Sequence, residues 1–231
     1  MQIPVPQNII ALENILPDEP LLMMGAGPVP IPAKVAAANG IVINHLGDTM
    51  AQIIEQVKLM SRYVFQTQDG HILGVAGPGS AAMEMAIANL VVPGTKVLSV
   101  CNGFFSSRLA DMAHRLSAEV IRLQISEGQS ASVAEVEAYL QLHRPQVLTL
   151  VQGETSNTVY NRHLADIAAL AKAYDCLVIV DAVCTLSTME LNMDEWGIDA
   201  VITGGQKGLS CIPGISLIGF SSKAWRHIQA R

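Results

Sequence analysis

Three short stretches of this sequence set chemically capable residues beside glycine, each directly after an apolar run. In Gly77-Pro78-Gly79-Ser80 the glycines allow close backbone approach. The unpaired N–H groups opening the next helix, with the Ser80 hydroxyl, can hold a phosphate. The spacing is neither G-x-G-x-x-G nor G-x-x-x-x-G-K-[ST], which disfavours a dinucleotide fingerprint or a P-loop. A plain glycine turn with Ser80 as its cap is the competing reading. Asp181 ends the run Leu177-Val178-Ile179-Val180. A carboxylate there can bind a metal, a ribose or a protonated ring nitrogen, or cap a neighbouring loop. Lys207 stands in Gly204-Gly205-Gln206-Lys207-Gly208, where three glycines leave space beside the backbone.

These groups need a scaffold, and the apolar pattern supplies one. HILGVA (71–76) reads as a buried strand, and 77–90 as a turn entering a helix that carries Met83, Ala86 and Ile87. Further strands are expected at 96–101, 119–125, 146–151, 177–180, 200–203 and 215–220, with helices over 106–116, 132–142 and 164–174. Ser132 and Glu135 have capping-box spacing, as do Thr49 and Gln52 at the start of a helix over 48–65. In that helix Ile53, Ile54, Val57, Met60, Ser61 and Val64 recur at helical spacing, and Met60, Met83 and Met85 read as core packing. Strands apolar on both faces and separated by helices indicate an α/β fold: three layers, a mainly parallel sheet flanked by helices. Ligands of such sheets bind beyond the carboxyl ends of the strands, where the candidate residues fall. Residues 1–32, broken by prolines and by Gly25-Ala26-Gly27-Pro28, read as an arm and loop ahead of a domain over 33–231.

Composition limits the partners. A chain of 231 residues that is 50% hydrophobic and 15% charged can bury its own core, and most of it is not disordered. With 14 Lys+Arg against 20 Asp+Glu, a net charge of −6 argues against nucleic acid as a partner. No apolar run approaches the roughly 20 residues needed to span a bilayer, so no membrane partner is expected. The first twenty residues lack a basic start and an unbroken apolar stretch, unlike a signal peptide. Cys101, Cys176, Cys184 and Cys211 are scattered without a C-x-x-C pair, which disfavours a metal cluster or disulfide framework and fits a reducing, cytoplasmic setting.

A phosphate seat, a strand-end Asp and a glycine-flanked Lys are together the parts that hold pyridoxal 5′-phosphate (PLP). Lys207 can form a Schiff base with the aldehyde. Asp181 can keep the pyridine nitrogen protonated, so that the ring accepts electrons when a substrate Cα loses its proton. Once a substrate amine displaces it, Lys207 can move that proton.

The chain resembles the class V, fold-type I PLP aminotransferases, especially the alanine–glyoxylate and serine–pyruvate group. The resemblance runs from Leu21-Leu22-Met23-Met24-Gly25-Ala26-Gly27-Pro28 to Phe220-Ser221-Ser222-Lys223-Ala224-Trp225. Between them lie Gly77-Pro78-Gly79-Ser80-Ala81-Ala82-Met83-Glu84, Gln152-Gly153-Glu154-Thr155-Ser156, Val180-Asp181-Ala182-Val183 and Gly204-Gly205-Gln206-Lys207. It implies the PLP-binding large domain of a homodimeric enzyme that moves an amino group from a small amino acid to a 2-oxo acid. It also implies a C-terminal small domain outside this chain. Carried over by residue, it implies Lys207 as the catalytic amine, Asp181 at the ring nitrogen and Val183 on one ring face. Phe105 would lie on the other face, where many relatives have Trp. Pro78, Gly79 and Ser80 would meet the phosphate, Gln206 the phosphate or its loop, and Thr155 the phenolic oxygen, with Ser156 a competing choice. Gly27 would approach the substrate. Gly205 departs from the Ser common at that position, and Gln206 from the His typical of cysteine desulfurases. A PLP-dependent lyase or decarboxylase and an inactive scaffold are the alternatives.

Overall fold

Alternation of apolar strands with one-sided helices organises the chain, as seen in a computed structural model describing residues 9–19 and 21–231. Part of the arm expected over 1–32, namely 1–8 and Pro20, lies outside the described residues. The helices and strands are α1 (Ala33–Asn39), α2 (Asp48–Phe65), β1 (His71–Ala76), α3 (Gly79–Leu90), β2 (Lys96–Cys101), α4 (Phe104–Arg115), β3 (Glu119–Gln124), α5 (Val133–His143) and β4 (Val147–Val151). A short hairpin follows, β5 (Gly153–Glu154) with β6 (Val159–Tyr160), then α6 (Leu164–Ala173), β7 (Leu177–Asp181), α7 (Met193–Trp196), β8 (Ala200–Gly204), β9 (Ile215–Phe220) and α8 (Ser222–Gln229).

Seven strands form one sheet in the order β1-β9-β8-β7-β4-β2-β3. β3, β2, β4, β7 and β8 run parallel, and β9 is antiparallel to both of its neighbours. The pleat divides each central strand between two cores. Val178 and Val180 of β7 face a layer that includes Val136 and Leu140 of α5 and Ile167 of α6. Leu177 and Ile179 face the opposite layer, with Met83 and Ile87 of α3, Leu109 of α4 and Ala224 of α8. Successive side chains of a strand alternate in direction, so a continuous apolar run is what a doubly covered strand requires.

Several expectations change in detail. β1 is not buried: it pairs with β9 alone at the sheet edge, and Gly74 and Ala76 are exposed. Ser132 and Glu135 do close a reciprocal cap on α5. Thr49 and Gln52 do not cap α2, because the helix already begins at Asp48 behind Gly47. The stripe on α2 is not core either. Only Ser61 and Phe65 of that helix are buried, while Ile53, Ile54 and Val57 are exposed and Met60 is 59% exposed. Apolar periodicity reports that a face is meant to be covered, without saying by what. The strand expected at 215–220 forms as β9, but its antiparallel direction and the hairpin β5–β6 were not legible in that pattern.

Candidate active site

The parallel strands end on one side of the sheet, and the cavity there is built by the loops that follow them. It measures about 190 Å³ and is lined by Pro78, Gly79, Ser80, Phe105, Thr155, Asp181, Val183, Gln206 and Lys207, together with Met83, Gly153 and Cys184. Nine of the ten residues singled out from sequence therefore share one wall. The tenth, Gly27, reaches it from outside: its carbonyl accepts a hydrogen bond from Lys207 Nζ at 3.0 Å. Val29 N donates to Gln206 O at 3.0 Å, tying the same loop to the lysine segment. Gly27 has φ +110°, and a Cβ there would collide with the Lys207 side chain. Both the backbone and the packing call for glycine.

Asp181 sits on β7 between β4 and β8, in register with Val151 and Ile202. Its Oδ1 accepts the Val183 amide at 2.8 Å. Among the described residues no protein donor reaches Oδ2. Burial pushes this carboxyl up to about 6; the Val183 amide, Lys207 and Arg108 pull the other way, and the Glu154 charge adds to the rise. A buried carboxylate in this state gains from a cationic partner.

The 152–156 segment has a definite task. Glu154 is fully buried and takes the amides of Phe105 (3.2 Å) and Ser106 (2.8 Å) on its two carboxylate oxygens. Ser156 Oγ accepts the Phe104 amide at 2.9 Å and donates to Glu154 at 2.7 Å. Burial alone would raise the Glu154 carboxyl, but the Ser156 hydroxyl and the Ser106 and Phe105 amides outweigh it and hold it below its ordinary value. The first three N–H groups of α4, which have no partner inside the helix, are thus satisfied from this segment. Ser156 is committed to α4, whereas Thr155 lines the cavity. Likewise Phe105 lines the cavity, while Phe104 is 57% exposed and meets it edge-on at 5.2 Å.

Sequence reasoning took Met83 as core packing and singled out neither Cys184 nor Arg108 for the site. The available signal for Arg108 was its place one helical turn after Phe105. His45, a conceivable base by residue type, is exposed in the loop before α2 and lies outside the cavity wall. Among the described residues no group of three or more His, Cys, Asp or Glu side chains could hold a metal ion, and no helix is long and apolar enough to cross a membrane.

An α/β sheet with a lysine, an acid and a glycine-rich turn at its carboxyl end defines a class of protein, and known proteins identify the family. The model of the class-V aminotransferases matches residues 33–230. The chain belongs to this PLP-dependent family. It is 38% identical to the alanine–glyoxylate aminotransferase of Oryctolagus cuniculus over 91% of its own length and 54% of that protein. Among solved structures, the alanine–glyoxylate aminotransferase of Nostoc sp. is 35% identical with a TM-score of 0.87, covering 96% of this chain and 60% of the other. The ureidoglycine–glyoxylate aminotransferase of Bacillus subtilis is 30% identical with a TM-score of 0.88, over 92% and 55%. The fold is that of a fold-type I large domain, and the chain spans about half the length of the curated relative it matches.

Proposed function

We propose that this chain forms the PLP-binding part of an aminotransferase that moves an amino group from a small amino acid to a 2-oxo acid, of the alanine–glyoxylate kind. The observation that carries this reading is the shared cavity, where Lys207, Asp181 and the Pro78-Gly79-Ser80 turn meet from three distant segments. The residues fit the cofactor. Asp181 offers a free carboxylate oxygen to a protonated ring nitrogen. The Gly79 and Ser80 amides that open α3 have no intrahelical acceptor and suit an anion, while the Ala81 amide already donates to Pro78 O at 2.8 Å. Bound there, PLP supplies an electron sink for the Cα–H bond of an amino acid.

Each residue then has a task in this scheme. Asp181 pairs with the ring N–H and keeps that proton in place. Val183 and Phe105 hold the ring from its two faces, and Thr155 offers a hydroxyl to the phenolic oxygen. Lys207 Nζ carries the proton taken from the substrate Cα. When not so engaged, it can rest on the Gly27 carbonyl. The alanine–glyoxylate names of the relatives support a small donor and glyoxylate as acceptor.

A homodimer and a cytoplasmic setting belong to the same proposal. The family resemblance and the exposed apolar residues of α2 and its preceding loop support the dimer. The four free cysteines support the compartment.

The reaction is tested by supplying the native protein with PLP, alanine carrying labelled nitrogen, and glyoxylate. Labelled glycine is the expected product. Release of carbon dioxide, or of sulfide from cysteine, without nitrogen transfer would instead indicate a decarboxylase or a desulfurase.

A further inference from the structure

Arg108 lies in the second turn of α4 and outside the cavity wall. Its Nη1 donates to Ser80 Oγ at 2.8 Å. Its guanidinium carbon stands 4.9 Å from the centre of the Phe104 ring and 5.8 Å from that of Phe105. Both distances fall within the range of cation–π attraction. One cation thus joins the turn opening α3 to the aromatic pair opening α4. Among the described residues, Ser80 Oγ has no other hydrogen-bond partner.

We propose that Arg108 is a positioning residue for the cofactor phosphate: it holds Ser80 Oγ as an acceptor, which turns the hydroxyl proton toward the cavity, and places a fixed positive charge behind the phosphate seat. This rests on the cofactor reading above and deepens it. A hydroxyl has one proton and two lone pairs. With one lone pair taken by a guanidinium N–H, the proton is free to donate to a phosphate oxygen. A charged donor on the far side also makes that O–H a stronger donor, because linked hydrogen bonds polarise one another. The half-buried guanidinium is screened less than a surface charge, and its hold on Phe104 and Phe105 fixes it in one place. The cation adjoins the phosphate end and its aromatic wall, so its effect should depend on the phosphate group of the ligand.

The test is the affinity of the native protein for PLP against pyridoxal, which lacks the phosphate, in wild type, R108Q, R108K and S80A. Loss of a hydrogen bond to a charged group is worth about 10- to 100-fold in affinity. R108Q is therefore expected to weaken PLP binding by about that factor while leaving pyridoxal within about twofold, and R108K to recover part of the loss. In R108Q, adding S80A should cost less than it does in wild type, because the two side chains act through one contact. Equal loss of PLP and pyridoxal affinity would show that Arg108 only maintains the fold, and an unchanged PLP affinity would remove it from the site. Both overturn the proposal while leaving the cofactor reading intact. A wild-type protein that binds neither compound overturns the cofactor reading, and this proposal with it.

Discussion

Asp181 is a residue whose burial sets its charge against stability. Burial lifts its carboxyl to about 6 from an ordinary 3.8. The folded protein thus keeps this proton to higher pH than the unfolded chain does. The stabilising contribution is complete below 3.8 and is lost as pH rises through about 6. At about 1.4 kcal/mol per pH unit, the penalty of ionising it in the cofactor-free protein is on the order of 3 kcal/mol. Asparagine can still accept the Val183 amide but has no charge to bury. Cofactor-free D181N should therefore be more stable than wild type above pH 6, by up to about 3 kcal/mol, and converge with it in acid. Urea unfolding across that pH range measures the difference, and equal stability at pH 8 contradicts the account. The same substitution should abolish amino transfer, since an amide cannot hold the ring nitrogen protonated.

At the scale of elements, α4 is aimed by a carboxylate belonging to another segment. Glu154 and Ser156 satisfy the first three amides of the helix that carries Phe105 and Arg108. E154A would leave the Ser106 amide buried and unpaired and the half-buried Phe105 amide without its partner, and should lower stability by roughly 2–3 kcal/mol. It should also weaken PLP binding, because Phe105 and Arg108 move with the helix start. Chemical unfolding and a cofactor titration on the same sample check both effects, and unchanged PLP affinity would separate Glu154 from the site. Gly103 belongs to this arrangement. Its φ of 176° suits any residue, but a Cβ would run into the Glu154 side chain. The central strands were legible in sequence, since runs such as Leu177-Val178-Ile179-Val180 must be covered on both faces. Asp181, Lys207 and the 77–80 turn were legible because they follow such runs. The task of Glu154 is not legible in sequence, because its partners are backbone amides of residues about fifty positions away, and local pattern carries no trace of them. Arg108 was missed for the same reason: its contact is with Ser80, across two helices.

At the scale of the whole molecule, the sheet and its two cores are self-contained, but the N-terminal elements leave apolar surface uncovered. Leu22 and Met24 are each 83% exposed and Val42 96% exposed, alongside the outward stripe of α2. Exposed apolar side chains concentrated in one part of the chain suit a contact face. If a second copy covers it, V57D/M60D should convert a dimer to a monomer in sedimentation experiments while leaving far-UV circular dichroism unchanged, because neither side chain is buried. A mass equal to that of wild type would place the dimer contact elsewhere. The central claim is that three separated segments converge on one phosphorylated aldehyde, with Lys207 as its point of attachment. Borohydride reduction of the protein with PLP, followed by peptide mapping, tests this most directly. The account predicts a pyridoxyl group on Lys207, absent from K207A and reduced in S80A and D181N. A modification spread over surface lysines, or one that persists at full yield in K207A, contradicts it.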